Sequence, residues 1–548
     1  MSPALSLGPA GSCDSQSVFS GSIVSKIVDG KRVLYLYYTS ISALPIHWSK
    51  PYIKGCETQS LAWSADLGLS WNKNAANPIL SKPRHEDGTT GWRDPFVSIW
   101  PSLSALRRST WDTNYMLISS GRRNTGPELV LYQSSDLVDW SPCSVLFKAK
   151  ADSSISPSSP FHHGRNFECA SFFTLGGKDF ILCGVETAPG ATRHSSSNHA
   201  DRYTLWMSGR LRLDANSKPI FVPESHGTLD HGMFYAPHVF RGAKNELLLS
   251  GWADEDLPFN SEYDLNKSEG ILEQQGWAGC LALPRELYIQ AQPIVETEFG
   301  MSDRHSWVRD EPSGMMTTLG VRPACHLRGL RSGSMMYPLA ALASLCSANY
   351  EIGVGLPVSS TAEAARLIFN VRSSPDGREN TAIVIDLAAN AVSIVRSRSS
   401  LKHGSLADER GTFSVLPGEG LQVRIFLDAS MLEININDRF CMTSRIYPSL
   451  PESLGASCEF IGRNGRALDT ENVWFQCWEG LLDAWPDRRR DEEGVADTFG
   501  DMETEDGDEV ICEEDEEDFR YVDDAEGGDD TLSDMVRSTD FGMVPVEA

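Results

Sequence analysis

The sequence lacks long apolar runs, clustered cysteines and any basic segment. No stretch of about 18 apolar residues occurs, so no transmembrane helix is predicted. The first residues lack the basic start and apolar centre of a signal peptide, so the sequence as given is expected to carry no export signal. Twelve cysteines are scattered from Cys13 to Cys512 without a Cys-x-x-Cys pair or a Cys/His cluster. We therefore predict no structural zinc, no other metal and no cofactor.

Negative charge is concentrated at one end of the 548 residues. The segment 491–548 holds 24 acidic and 2 basic residues, a net −22 of the total −27. The preceding 490 residues hold 51 acidic and 46 basic residues, so the body is nearly balanced and no nucleic-acid partner is predicted. Low hydrophobicity and the acidic run at 513–518 predict that 486–548 is a disordered acidic tail.

The body from 13 to 295 has almost no helical periodicity. Short β-branched or aromatic runs recur between turn residues, which is typical of an all-β domain. A Ser-x-Asp turn followed by a Trp occurs at 64–71 and again at 134–140, and such repeats indicate a β-propeller. The predicted strands include 33–38, 115–118, 129–132, 180–183 and 247–250.

Two carboxylates in the body carry the chemistry. Arg93 directly precedes Asp94 and Pro95 follows it, a pattern that predicts an ionised carboxylate held beside an arginine. Glu168 stands in an apolar run, which should raise its pKa. One raised and one ionised acid together are what glycoside cleavage needs. The alternative is a surface Asp–Arg pair and an unrelated Glu at a strand end.

Five motifs then occur in a fixed order over nearly 300 residues and resemble those of the β-fructosidase group, glycoside hydrolase family 32. This family includes invertases, inulinases, levanases and fungal fructosyltransferases. The resemblance implies a five-bladed β-propeller at 13–295, a β-sandwich at 311–485 and a sucrose or fructan substrate. Family members are often secreted or vacuolar. The motifs are Phe-Ser-Gly-Ser at 19–22, Trp-Arg-Asp-Pro at 92–95, Glu-Cys at 168–169, the segment 229–236, and Gly-Trp-Ala-Gly to Pro-Arg at 276–285.

The resemblance also implies roles for matching residues. Glu168 is expected to be the general acid and base, and Asp94 the transition-state stabiliser that Arg93 keeps ionised. Phe19 and Ser20 are expected to contact the furanose ring. Trp252 is a candidate wall of the sugar site, although a Trp at a strand end is more often a core residue.

One family feature is missing. The family nucleophile is the Asp of an Asn-Asp-Pro-Asn-type motif, and no such string occurs in the eighteen residues before Phe19. Asp14 matches another family position and is not assigned as the nucleophile. The first blade is therefore expected to lack its inner strand, and residues 1–548 alone are expected to hydrolyse sucrose negligibly. An inactive fructan or sucrose binder is thus the alternative to a fructosidase, and a purely structural propeller is a third hypothesis.

Strand patterns resume after a polar linker at 296–310. Runs at 367–372, 382–386, 392–395 and 423–434 alternate with Gly and Pro turns, which favours a sandwich. Asp428 and Glu433 resemble catalytic acids in type only. We predict that both are structural, on solvent-facing strand positions.

Overall fold

Antiparallel strands dominate the protein, as the short alternating runs predict. The computed structural model describes residues 3–83, 87–156, 161–188, 202–256, 275–293, 304–331, 345–402 and 406–483. These residues all belong to one compact unit. The predicted acidic tail at 486–548 lies outside them.

The first three sheets each contain four strands joined in sequence order, the arrangement of propeller blades. A short helix, α1 (Pro101–Arg107), connects the first two strands of the second sheet. The strands are β1 (Ser17–Val28), β2 (Lys31–Ile41), β3 (Glu57–Ser64) and β4 (Asn72–Lys73); β5 (Thr89–Ile99), β6 (Asn114–Arg122), β7 (Gly126–Ser134) and β8 (Ser141–Lys148); and β9 (Asn166–Leu175), β10 (Lys178–Glu186), β11 (Arg202–Leu213) and β12 (Pro219–Thr228).

A fourth sheet closes the propeller part and extends beyond the predicted domain boundary. Its order is β13-β14-β16-β18-β17, with β15 paired to β14. Residues 316–323, predicted to belong to the sandwich, instead pair with β16 in this sheet. The strands are β13 (Phe234–Arg241), β14 (Leu247–Ala253), β15 (Cys280–Leu281), β16 (Arg285–Gln292), β17 (Val308–Arg309) and β18 (Met316–Pro323).

Successive sheets pack face to face through apolar side chains. One core lies between the first two sheets around Tyr37, Trp92 and Met116. A larger core joins the second, third and fourth sheets, with the rings of Trp100 and Phe172 stacked 4.2 Å apart at its centre. The repeated turns have equivalent hydrogen bonds, because Ser64 and Ser134 each donate to the Asp two residues later.

Two five-stranded sheets form the sandwich and enclose a separate apolar core. Burial alternates strictly along 380–386, as expected for a strand with one face in a core. The strands are β19 (Tyr350–Leu356), β20 (Ala364–Ser373), β21 (Asn380–Asp386), β22 (Ala391–Arg398), β23 (Glu409–Thr412), β24 (Leu421–Asp428), β25 (Met431–Ile436), β26 (Phe440–Arg445), β27 (Gly455–Gly462) and β28 (Trp474–Glu479), with a helix α2 (Val358–Glu363) before β20.

A buried ion cluster joins the propeller part to the sandwich. Arg285 of β16 donates to Asp230 at 2.7 Å, to Glu433 at 3.0 Å and to Thr443 at 2.7 Å. The predicted solvent-facing position of Glu433 is therefore wrong, since the side chain is buried against this arginine. Asp428 is exposed, as predicted.

The predicted fold class, an all-β propeller followed by a β-sandwich, is confirmed. No helix in the described part of the chain is long and apolar enough to cross a membrane. The expectation that the first sheet lacks its inner strand differs from the structure, since β1 occupies that place and pairs with β2 along its length. The propeller part of the described residues thus contains four sheets, one fewer than a five-bladed propeller, and its first sheet has four strands.

Candidate active site

In each of the four sheets of the propeller part, the innermost strand has an irregularity in its pairing. Register shifts interrupt β1 near Ser20, β5 at Asp94, β9 opposite 182–184, and β13 near Ala236. These interruptions surround a cavity of about 220 Å³. β-Bulges re-aim side chains and frequently border active sites, so the cavity is the candidate site. Its lining residues are Ser20, Gly21, Asp94, Pro95, Phe96, Cys169, Ala170, Ser171, Ala236, Pro237 and His238.

Backbone strain accompanies three of these bulges. Asp94, Cys169 and Ala236 have φ values of 63°, 48° and 53°, a left-handed conformation that costs a non-glycine residue free energy. At Asp94 the first sheet compensates, because Thr39 accepts the Asp94 N–H at 2.8 Å.

Arg93 is the hub of the charged groups beside the cavity. Its buried guanidinium donates to one oxygen of Glu168 through Nε at 3.0 Å and through Nη2 at 2.8 Å. Nη1 donates to Glu57 at 2.7 Å, and Nη2 also reaches Glu186 at 3.2 Å. Three carboxylates therefore share one arginine.

Asp94 lies between this cluster and the cavity. Its Oδ2 accepts the backbone N–H of Cys169 at 2.9 Å, which brings the carboxyl next to Glu168. Asp94 lines the cavity, whereas Arg93 and Glu168 are not among the lining residues. The two predicted carboxylates thus come together although 74 positions separate them.

The protonation pattern is the reverse of the predicted one. Burial raises the pKa of Asp94 to about 7, and the charge of nearby Arg93 only partly offsets this effect. Burial also acts on Glu168, but the charge of Arg93 and hydrogen bonds from Tyr235 and Arg93 hold its pKa below the ordinary value. Adjacency in sequence suggested that Arg93 serves Asp94, but the guanidinium donates two hydrogen bonds to Glu168.

Two further site residues, Tyr235 and Glu186, were not predicted from sequence. Tyr235 Oη donates to Glu168 Oε2 at 2.7 Å. Glu186 ends β10, accepts from Asn166 at 2.8 Å, and has a pKa raised to about 8 by burial and by the charge of Glu168. Tyr235 lies within the quoted motif at 229–236, a usable signal, while no motif marks Glu186.

The remaining predicted site residues differ in whether they line the cavity. Ser20 lines it, and Phe19 is half-buried on the same strand. Trp252 is half-buried on β14 directly opposite Tyr235 and is not among the lining residues. Asp14 is buried against Lys73 at 2.5 Å and Tyr38 at 3.2 Å, also outside the lining.

Among the described residues, no group of three or more His, Cys, Asp or Glu side chains is arranged to hold a metal ion. The groups that the structure brings together beside the cavity are carboxylates, an arginine, a tyrosine and backbone groups. Such a set can transfer protons and stabilise positive charge that develops on a bound molecule.

Known proteins match the chain over most of its length. Residues 3–297 match the family model "Glycosyl hydrolases family 32 N-terminal domain", and residues 331–475 match "Glycosyl hydrolases family 32 C terminal". The sucrose-6-phosphate hydrolase of Escherichia coli is 25% identical over 468 residues, covering 82% of this chain and 78% of that protein.

Solved structures give the same result for the fold. The Aspergillus kawachii β-fructofuranosidase complexed with glycerol aligns with a TM-score of 0.71 at 25% identity, covering 88% of this chain and 86% of that chain. A Bombyx mori β-fructofuranosidase mutant in complex with sucrose aligns with a TM-score of 0.56 at 22% identity, covering 85% and 79% of the two chains.

Proposed function

Because the chain belongs to glycosyl hydrolase family 32, we propose that it cleaves the fructosyl bond of sucrose or a related small fructoside, with Glu168 and Asp94 as its working carboxylates. The protein is a glycosyl hydrolase of the fructosyl-cleaving type. The observation that carries the residue assignment is the meeting of Asp94 and Glu168 at the bulges of adjacent inner strands, beside one cavity.

We assign Asp94 as the group that contacts the sugar, because it lines the cavity. Cleavage builds positive charge on the fructosyl ring, and a carboxyl at the cavity wall stabilises that charge as it develops. The Cys169 N–H fixes one of its oxygens. Ser20, on the first inner strand, supplies a hydroxyl in the same lining for a fructose hydroxyl.

Glu168 is proposed as the acid and base. Arg93 and Tyr235 hold its two oxygens from opposite sides, so the carboxyl has a fixed orientation. Burial favours retention of a proton by the carboxyls of this cluster, and Asp94 and Glu186 have the raised pKa values. Interacting carboxyls titrate as a set, and we propose that substrate binding shifts the shared proton to Glu168 for delivery to the leaving oxygen.

Sucrose is the proposed substrate class because the relatives point to it. The E. coli relative is named for sucrose 6-phosphate, and the Bombyx mori structure contains sucrose. The alternative of a binder without turnover draws no support from these relatives, which are named as a hydrolase and a β-fructofuranosidase. Glu168 protonates the leaving oxygen, and the fructosyl carbon then bonds to water in hydrolysis or to a sugar hydroxyl in fructosyl transfer, with the proton of that acceptor returning to Glu168.

The test is release of glucose and fructose from sucrose by the purified protein and two variants. Glu168→Gln keeps the shape of the side chain but cannot transfer a proton, and should lower turnover by about 10²–10⁴-fold. Glu459→Gln, on the sandwich strand β27 and outside the site, is the matched control and should retain activity. Sucrose binding without release by the unaltered protein, which is the outcome expected from the missing nucleophile motif, or full turnover by Glu168→Gln, would overturn the proposal.

A further inference from the structure

A carboxyl group that never reaches the cavity holds the arginine of the site. Glu57 begins β3 in the first sheet and is completely buried. Its Oε1 accepts from Arg93 Nη1 at 2.7 Å, and its Oε2 accepts the backbone N–H of Trp92 at 2.8 Å. Both oxygens therefore bind consecutive residues of the strand that carries Asp94.

We propose that Glu57 is a positioning residue, which fixes the guanidinium of Arg93 and through it the carboxyl of Glu168. The proposal rests on the proposed function, since it assigns a purpose to the orientation of Glu168. Glu57 is not in the cavity lining, so its proposed influence on the site runs through its contacts with Trp92 and Arg93 and through its charge.

The geometry of the arginine supports this role. A guanidinium is a planar fork, so fixing one nitrogen restricts where the others point. Glu57 holds Nη1, and the opposite edge, Nε and Nη2, then meets Glu168 Oε1. Of the three carboxylates on this arginine, Glu57 has a side-chain exposure of 0%, against 20% for Glu168 and 12% for Glu186.

Stability alone is a weak reason to bury such a group. Removing two charges from water costs more than many buried ion pairs return, although breaking a pair by deleting one partner is costly. Gln59, two residues after Glu57 on β3, also holds the strand that carries Asp94, because its Nε2 donates to the Trp92 carbonyl at 2.8 Å. The first residues of β3 thus bind the backbone N–H and carbonyl of Trp92 and the side chain of Arg93.

The negative charge of Glu57 influences the pKa values of the ionisable groups around Arg93. Removing its negative charge leaves Arg93 less neutralised and should lower the pKa of the remaining carboxyls by up to about one pH unit. The groups around the cluster are Tyr52 and Cys56 before β3, Asp94 on β5, Glu168 on β9, Glu186 on β10 with His47 beyond it, Arg202 on β11, and Tyr235 on β13.

Two substitutions separate charge from geometry. Glu57→Gln keeps the length but loses the charge, and its amide can accept from only one of the two donors. Glu57→Asp keeps the charge but is too short to reach both. Glu351→Gln is the control, because Glu351 is a similarly buried carboxylate that pairs with Arg331 and Arg424 in the sandwich.

The first readout is a ¹³C-NMR titration of protein labelled at the glutamate carboxyl carbons, with the Glu168 and Glu186 signals assigned from their Gln variants. Glu57→Gln should move both titrations to lower pH, Glu57→Asp should move them less, and Glu351→Gln should leave them unchanged. Unmoved titrations in Glu57→Gln, in protein that thermal melting shows to be folded, would overturn the proposal.

The second readout is the pH dependence of sucrose cleavage. Glu57→Gln should shift its limbs to lower pH, whereas Glu57→Asp should keep the limbs and lower kcat. Unshifted limbs in Glu57→Gln would mean that Glu57 has no influence on the reaction. If the unaltered protein neither binds nor cleaves sucrose, the proposed function fails, while the NMR titration still decides whether Glu57 controls Glu168.

Discussion

Removing the hydroxyl of Tyr235 should change stability in a pH-dependent way. Tyr235 donates to Glu168 at 2.7 Å, and Arg93 holds the other carboxylate oxygen. A hydrogen bond to a charged group contributes about 1.5–3 kcal/mol. Since Glu168 is 20% exposed and keeps Arg93, we expect Tyr235→Phe to cost about 1–2 kcal/mol at neutral pH, equivalent to a rise of about one unit in the pKa of Glu168.

The sign of the pH dependence follows from the direction of the shift. The pKa of Glu168 in the folded protein lies below its ordinary value, because Arg93 and Tyr235 outweigh burial. Its ionisation therefore adds stability above the unfolded pKa, and this contribution is lost as pH falls through the folded pKa. The difference between wild type and Tyr235→Phe should consequently be largest near neutral pH and shrink in acid.

The assay is the free energy of unfolding in urea, measured near neutral pH and again at about pH 3, well below the ordinary pKa of a glutamate. Tyr37→Phe is the control, because the buried hydroxyl of Tyr37 donates to the neutral carbonyl of Leu137 at 2.7 Å. That variant should lose a similar amount at both pH values. An equal loss at both pH values for Tyr235→Phe would refute the conclusion that Glu168 is ionised in the free protein.

Three other perturbations probe the site and its support. Asp94→Asn should raise the melting temperature near pH 8, because the raised pKa of Asp94 makes stability fall as pH increases from about 4 to about 7. Asp14→Asn should lower the melting temperature at the same pH. The pKa of Asp14 is lowered, because hydrogen bonds from Lys73, Ser12 and Tyr38 outweigh the effect of burial. Arg285→Met should cost about 3–5 kcal/mol in urea unfolding because it strands Asp230 and Glu433, whereas Arg366→Met, at an exposed pair with Asp386, should cost under about 1 kcal/mol. Gly184→Ala should reduce sucrose turnover, since the added Cβ would lie 2.8 Å from the ring of Tyr235. Gly329→Ala is the control and should leave turnover unchanged, because the space around Gly329 is open. Equal activities of the two variants would contradict the role of Tyr235.

The amino-acid sequence was sufficient to predict the fold class and to single out the two main carboxyls. Alternating apolar runs specify strands because successive side chains point to opposite faces, and the predicted runs at 115–118 and 382–386 lie within β6 and β21. The repeated Ser-x-Asp turns were readable for the same local reason, since each depends on hydrogen bonds within a few residues. Asp94 and Glu168 were found through short motifs, which are local too.

Which carboxyl pairs with Arg93, and which carboxyls keep a proton, could be read only from the folded structure. Arg93 is next to Asp94 in sequence, yet its guanidinium donates to Glu168, and the expected protonation pattern is reversed. Glu57 and Glu186 have no motif, because their roles depend on contacts across 36 and 93 positions of sequence. Such contacts arise from the packing of one sheet on the next, and a pKa depends on burial and neighbouring charges that a linear sequence does not contain.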